Sequence, residues 1–312
     1  MAKKNIPAEK ILQQIVDDLE KAGLSFDDVL PGLQQDLYDL ITDMTRGLDT
    51  SDGKIKMTTA NLKKIQVVEK AVLKRLLSAK YKNGVKDVAL TFAHISALQD
   101  QYFKALDKSF KPGLRLEQLR KASMTLTVNS LTDSGITSAV TRGIKDLLTT
   151  AIRAGGSIKD LEKQLSTFIK GGKDAKGNPI PSRLQSYVGQ ITTDGLNQFS
   201  ANYNALASAS LGYEWFMYTG SLLATSRAWC VHMVKKKYIH ISEFDTVIFD
   251  NVDGVVICGE DIPCYKGLPK GMIPGTNAGN LKSRRGGYRC GHQLGGIPEE
   301  LVPALIKAKI AK

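Results

Sequence analysis

The amino-acid sequence predicts a mainly α-helical protein, in which a helical N-terminal region precedes a helical plus small α+β C-terminal domain. Apolar residues recur at helical spacing through most of the first 200 residues. Short aromatic and β-branched runs, which favour strands, come only after Gly212. With 42% hydrophobic and 24% charged residues, the chain of 312 residues has the composition of a globular protein with one large or two medium domains.

The N-terminal region, residues 1–133, is predicted to be a series of amphipathic helices. The first helix begins at Pro7, which suits a first-turn position, and Gly23 offers its stop. The apolar faces of these helices must be buried against one another, so a bundle or an extended helical arm is expected. Further helices are expected over about 26–46, 58–79, 86–106 and 114–131.

Residues 134–298 are predicted to form a second domain that begins with three helices. An apolar stripe ends at Gly155-Gly156, and Ser157 is a predicted N-cap three residues before Asp160. A loop over 171–181 then leads to a long helix over about 182–211.

The α+β part of this domain covers residues 213–298. A strand is predicted over 213–218, and two more are predicted at 247–249 and 255–257, around a turn at 251–254. These short elements indicate a small sheet in a region rich in loops.

The chain is basic, with a formal net charge of +12 and a pI near 9.4. Residues 266–312 hold nine Lys or Arg against two acidic residues, and residues 299–312 are assigned to a basic C-terminal tail. This excess of positive charge indicates that the chain binds a polyanion or an acidic partner. There is no run of eighteen apolar residues and no apolar signal-peptide core near Met1, so a cytosolic protein without a membrane span is expected.

Two C-x-H pairs, Cys230-Val231-His232 and Cys290-Gly291-His292, are the sharpest chemical feature. In extended backbone, residues two apart project to the same face, so either pair can offer a thiolate and an imidazole to one structural Zn²⁺. The spacing differs from the C-x₂-C of zinc ribbons. A Cys230–Cys290 disulfide and two simply buried thiols are the alternatives.

The other two cysteines, Cys258 and Cys264, flank a short turn that can bring their sulfurs together. A disulfide across so small a loop would remove little chain entropy. In a reducing cytosol both stay thiols, whereas in a released particle they can oxidise.

Basic residues near the C-x-H pairs are candidates for phosphate or DNA contact, although exposed basic loops are often only solvated. They are Lys235, Lys236, Lys237, Arg284 and Arg285. The glycine-rich segment 172–178 lacks the Lys and the Ser or Thr of a P-loop, and the histidines lack H-E-x-x-H spacing. The sequence thus predicts no catalytic residue and no enzyme.

Four segments follow one another in the last third of the chain: Thr225-Ser226-Arg227-Ala228-Trp229-Cys230, Lys237-Tyr238-Ile239-His240-Ile241-Ser242-Glu243, Gly275-Thr276-Asn277 and Gly286-Gly287-Tyr288-Arg289-Cys290-Gly291-His292. In order and spacing they resemble the C-terminal signature of tailed-phage minor head proteins. These are the head morphogenesis proteins similar to the F protein of phage Mu and the minor head protein of phage SPP1. The resemblance covers about 134–298.

This resemblance implies a non-enzymatic minor capsid protein that assists head assembly, DNA packaging or ejection. The implied partners are the portal protein, the major capsid protein or scaffold, and packaged genomic DNA bound without sequence preference, with no membrane during assembly. The implied location is the inside of the phage head near the portal vertex, after assembly in the host cytoplasm. The alternative function is a zinc-stapled DNA-binding or nuclease-like protein that acts free of any particle.

Overall fold

The computed structural model describes residues 7–24, 26–224, 226–245, 251–252, 255–256, 272–273, 275–285, 287 and 290–310. The predicted fold class is confirmed: the chain is mainly α-helical and has a small three-stranded sheet in its last third. Within these ranges, no helix is both long enough and apolar enough to span a bilayer.

Ten helices lie in the described residues up to 236. In the N-terminal region their bounds fall within four residues of the predicted ones, except that the fourth helix begins at Ala79 and not at about 86. They are α1 (Pro7–Gly23), α2 (Leu30–Arg46), α3 (Thr59–Leu76), α4 (Ala79–Leu106), α5 (Leu114–Leu131), α6 (Asp133–Ile136), α7 (Arg142–Ala154), α8 (Ile158–Lys170), α9 (Arg183–Ser210) and α10 (Ala228–Lys236). One π-helical turn, Thr137–Thr141, joins α6 to α7. Short helices also cover Leu281–Arg284 and Ala304–Ile310.

The predicted glycine corner between α7 and α8 is confirmed. Gly155 ends α7 in the left-handed conformation, with φ of 63°, which a residue without Cβ adopts at no steric cost. The Ser157 hydroxyl then accepts a hydrogen bond from the Asp160 amide and caps α8.

Nine short strands form four antiparallel sheets among the described residues. Three are two-residue pairs: β1 (Thr50–Ser51) with β2 (Lys54–Ile55), β3 (Gly172–Lys173) with β4 (Pro179–Ile180), and β7 (Asn251–Val252) with β8 (Val255–Val256). The fourth sheet has the order β6 (Tyr238–His240), β5 (Trp215–Thr219), β9 (Gln293–Ile297). The predicted strand at 247–249 lies outside the described residues, as does position 257 of the predicted strand 255–257.

The chain divides into two compact units. We call Gly23–Ala89 with Thr125–Thr192 the helical unit, and Met1–Ala22, Leu90–Met124 and Thr193–Lys312 the sheet unit. The predicted segments 1–133 and 134–298 therefore each contribute to both units, and the functional division of the chain at residue 133 stays a prediction.

The helical unit is a bundle in which α2 packs on α3 and α8, and α7 packs on α3 and α8. Its core consists of aliphatic side chains at helical spacing, which is the arrangement that the apolar stripes predict. Residues with at most 2% of their surface exposed include Leu37, Ile41, Val72, Leu76, Ile144, Leu148, Ile152, Leu161 and Leu165.

The sheet unit places β5 in the middle of its three-stranded sheet. β9 is buried along its whole length, and polar contacts hold it in place. The Tyr102 hydroxyl donates to the Gly296 carbonyl at 2.9 Å, and Ser200 Oγ donates to Gln293 Oε1 at 2.8 Å. These bonds hold β9 at its first residue and near its end, and Cys290 and His292 lie just before its first residue.

A buried cluster fills the space between this sheet and α10. It brings together residues that are far apart in the sequence and is the core around which the candidate site is built. Its members are Phe216, Tyr218, Trp229, Cys230, Met233, Ile239, Phe244, Met272, Leu281, Cys290 and Leu294.

Candidate metal centre

Cys230 lies in α10, not in the extended backbone that the sequence analysis assumed for the first C-x-H pair. Trp229, Cys230 and Met233 are the buried residues of this helix, and they lie on its inner face. Residues two apart on a helix point in nearly opposite directions, so His232 does not share the direction of Cys230. The expectation that Cys230 and His232 offer ligands to one site from a shared face is therefore wrong.

The second pair behaves as predicted. Cys290 and His292 lie in the non-helical segment that leads into β9, and both are buried. Their side chains approach each other, with 3.7 Å between Cys290 Sγ and His292 Nδ1.

Cys230, Cys290 and His292 form one centre, in which the three potential ligand atoms lie within 4.8 Å of one another. The prediction that the two distant cysteines meet is confirmed. Both are free thiols, so the disulfide alternative is not the state of this structure. In the parts of the chain that the structure describes, this is the group of three with suitable ligand spacing, and His232 is not a member.

Tyr218, on β5, touches all three members of the centre. Its hydroxyl oxygen lies 3.6 Å from Cys230 Sγ and 3.7 Å from Cys290 Sγ. Its ring stacks on the His292 ring with centroids 5.4 Å apart and 17° between planes. Tyr218 could not be found from the sequence, because an isolated tyrosine in a strand carries no motif.

The two thiols differ in their affinity for a proton. The hydrogen bond from the Cys230 thiol holds the pKa of Cys290 well below its usual range, and His292 and Arg285 act in the same direction. The same hydrogen bond, together with burial, raises the pKa of Cys230. Burial raises the pKa of Tyr218 as well. Of the two thiols, Cys290 therefore gives up its proton more readily than Cys230 does.

Arg285 is buried in this centre with 3% of its surface exposed, so the expectation that it contacts phosphate is corrected. Its guanidinium donates hydrogen bonds to the backbone carbonyls of His292 and Asn197, each at 2.5 Å. Burial lowers the pKa of Arg285. The guanidinium therefore positions the His292 segment against α9.

Gly220, which follows β5, leaves room for the His292 ring. A Cβ at this position would lie 2.5 Å from His292 Cδ2 and 2.9 Å from His292 Cα, closer than van der Waals contact allows. The centre therefore requires glycine here.

We expect Gly220→Ala to destabilise the protein by about 1 to 3 kcal/mol, because the methyl group must push His292 out of its place. Urea unfolding of the full chain measures this loss. Gly189→Ala is the matched control: no atom lies within 4 Å of its added methyl group, and alanine in helix α9 should be neutral or stabilising by up to about 1 kcal/mol. Equal stability of the Gly220 variant and the wild type would contradict the close approach.

The three lysines at the end of α10 have different surroundings. Lys236 pairs with Glu243 at 2.8 Å, and Lys237 pairs with Glu9 at 2.6 Å. Lys235 is exposed. Arg284 is half-buried on the short helix that precedes Arg285. Lys236 and Lys237, two of the predicted phosphate contacts, therefore already pair with carboxylates. Lys235 is the candidate for phosphate contact that has an exposed side chain.

The donor set of the centre fits a metal ion. Two thiolates and an imidazole are ligands that zinc prefers, and all three residues have 8% or less of their surface exposed. Of the two His292 ring nitrogens, Nδ1 lies 3.7 Å from Cys290 Sγ. The group could therefore hold a metal ion; Cys258 and Cys264 lie outside the described residues.

An open groove of about 950 Å³ crosses the surface of the helical unit. Basic side chains of Lys163 and Arg183 line it beside an apolar floor. This floor contains Leu147, Phe168, Ile180 and Pro181. Asp160 also lines the groove, which is a second surface feature of the described residues.

Searches of protein-family models, curated proteins and solved structures gave no match to this chain.

Proposed function

We propose that this chain is a non-enzymatic minor head protein of a tailed phage, and that Cys230, Cys290 and His292 hold a structural Zn²⁺ in its sheet unit. The observation that carries the proposal is the meeting of two sequence segments on which the resemblance rests. Cys230 ends the first segment and Cys290 with His292 ends the last, and their ligand atoms lie within 4.8 Å of one another.

The arrangement supports an architectural role for the centre. Cys230 belongs to α10, whereas Cys290 and His292 precede β9, so a shared ion would join two elements about 60 residues apart. In the chain-entropy view, a cross-link that closes a loop of this length stabilises a fold by about 4 kcal/mol. Zn²⁺ would supply four-coordinate binding of thiolate and imidazole ligands, without redox chemistry.

The burial of the ligands also favours structure over catalysis. A catalytic zinc needs an open position that a substrate reaches, whereas Cys230 and Cys290 lie in the hydrophobic cluster of the sheet unit and His292 is only 8% exposed. This supports the non-enzymatic half of the proposal over a nuclease.

The proposed partners follow from surface chemistry and from the resemblance. The net charge of +12 favours contact with packaged DNA through counterion release, and the exposed Lys235 is a contact candidate. The groove of the helical unit offers an apolar floor to a protein such as the portal, the major capsid protein or the scaffold. The proposed location is the inside of the head near the portal vertex.

Density-gradient sedimentation tests the particle role. Particles from cells that produce this chain are separated on a density gradient. Mass spectrometry then measures the chain, the portal and the major capsid protein in each fraction. We expect the chain to co-migrate with the portal and the capsid at a few copies per particle. A chain that stays at the top of the gradient and cleaves DNA when metal is added would instead support the free, nuclease-like protein.

A further inference from the structure

We propose that the Tyr218 hydroxyl oxygen is the fourth ligand of the metal centre, so that the site is a closed Cys₂HisTyr set. The inference rests on the metal-binding half of the proposed function and not on the particle role. It concerns a residue that the C-x-H pairs do not indicate.

The distances among the four atoms carry the argument. Four ligands placed tetrahedrally around Zn²⁺ at ordinary Zn–S, Zn–N and Zn–O lengths lie about 3.3 to 3.8 Å from one another. The Tyr218 oxygen lies 3.6 Å from Cys230 Sγ and 3.7 Å from Cys290 Sγ, and Cys290 Sγ lies 3.7 Å from His292 Nδ1. These three separations match the edges of such a tetrahedron.

The packing around Tyr218 holds its oxygen in this position. The Tyr218 ring stacks on His292, and its edge meets Trp229 at 5.5 Å and 88°. Tyr218 is 1% exposed, and strand β5 is hydrogen-bonded on both sides, by β6 and β9. A phenol fixed between two sulfurs is pre-organised to coordinate with little loss of rotamer freedom.

The charges of the centre agree with a phenolate ligand. Zn²⁺, two thiolates and a neutral imidazole sum to zero, so a phenolate gives the set one negative charge. The buried Arg285 guanidinium supplies the balancing positive charge, and in the described ranges it makes no ion pair with a carboxylate. On coordination, the phenolic proton and the thiol protons leave to solvent, as metal binding to such ligands requires.

Cobalt substitution of the full, reduced chain tests the proposal, because the visible bands of Co²⁺ depend on the number and kind of its ligands. We expect the wild type to give a four-coordinate spectrum that added imidazole does not change. Tyr218→Phe keeps the ring and removes the oxygen, so its spectrum should differ and should change again when imidazole occupies the open position.

Tyr102→Phe is the matched control. Tyr102 is also buried in the sheet unit, but its hydroxyl donates to the Gly296 carbonyl. We expect this variant to keep the wild-type cobalt spectrum.

Zinc affinity should fall more than about 100-fold in Tyr218→Phe. The loss of a residue that only contacts the ligands usually lowers metal affinity about 10- to 100-fold. Because these ranges adjoin, the cobalt spectrum decides whether Tyr218 is a ligand or only a contact of the ligands.

A second measurement needs no variant. Zinc binding to the wild type should produce the ultraviolet difference spectrum of a tyrosinate, and the absence of that signal would overturn the proposal. An unchanged cobalt spectrum in Tyr218→Phe would overturn it as well, as would a Cys258→Ser or Cys264→Ser variant that alters the spectrum as strongly as Cys230→Ser does.

The outcomes separate this inference from the proposed function. A chain that takes up no cobalt would overturn both the Tyr218 assignment and the metal centre. A chain that binds cobalt through Tyr218 but never sediments with capsids would overturn the particle role alone.

Discussion

Replacing Cys290 with serine is expected to abolish tight zinc binding and to remove about 4 kcal/mol from the free energy of unfolding, when free zinc exceeds the Kd of the wild type by about 1,000-fold. The cause is the loss of the ligand that lies beside both Cys230 and His292. Urea unfolding of the wild type and the variant, each with zinc and with a chelator, measures this difference.

His232→Gln is the matched control for this experiment. His232 belongs to the first C-x-H pair but lies outside the centre, so this variant should still bind one zinc ion per chain. The chelated wild type should resemble Cys290→Ser in stability. Equal stability of the wild type with zinc and with chelator would contradict the structural role of the metal.

Arg285→Met is expected to destabilise the protein by about 3 to 6 kcal/mol. Methionine fills a similar volume but donates no hydrogen bond, so the buried carbonyls of His292 and Asn197 lose a charged donor worth about 1.5 to 3 kcal/mol each. Denaturant unfolding monitored by circular dichroism gives the value.

Lys235→Met provides the comparison, because it removes a basic side chain from an exposed position. Its effect on stability should stay within about 0.5 kcal/mol. If Arg285→Met instead folds with wild-type stability and loses affinity for DNA, the guanidinium is a phosphate contact, and the interior role derived from the structure is wrong.

Much of the fold could be predicted from the helical spacing of apolar residues and from the residues that begin or end helices. The apolar stripe of α1, the glycine stop at Gly155 and the Ser157 cap are local signals, and local signals determine where helices begin and end. The two-residue pairs β1–β2 and β3–β4 were not predicted, because strands this short have no detectable alternation of apolar and polar residues.

The division into two units could not be predicted in the same way. Each unit combines segments from distant parts of the chain, and α4, α5 and α9 each contribute residues to both units. The packing of distant segments against one another depends on which apolar faces are complementary in shape. A single sequence does not reveal that complementarity.

The candidate site was predicted in part. Cys290 and His292 were paired correctly because two residues in a non-helical segment can share a face, and Cys230 was correctly expected beside them. His232 was expected beside Cys230 because extended backbone was assumed for the first pair. The spacing of Trp229, Cys230 and Met233, one and four residues apart, indicates a helix instead. Arg285 was misjudged because sequence alone does not distinguish a buried guanidinium from an exposed one.

X-ray absorption at the zinc edge identifies the ligands that the metal centre supplies. The full chain, loaded with one equivalent of zinc under reducing conditions, should show two sulfur ligands at about 2.3 Å and two lighter ligands at about 2.0 Å. Cys230→Ser and Cys290→Ser should each lose sulfur scattering or fail to retain zinc. A wild-type chain that retains no zinc, or that binds zinc through nitrogen and oxygen alone, would show that Cys230, Cys290 and His292 do not form a zinc site.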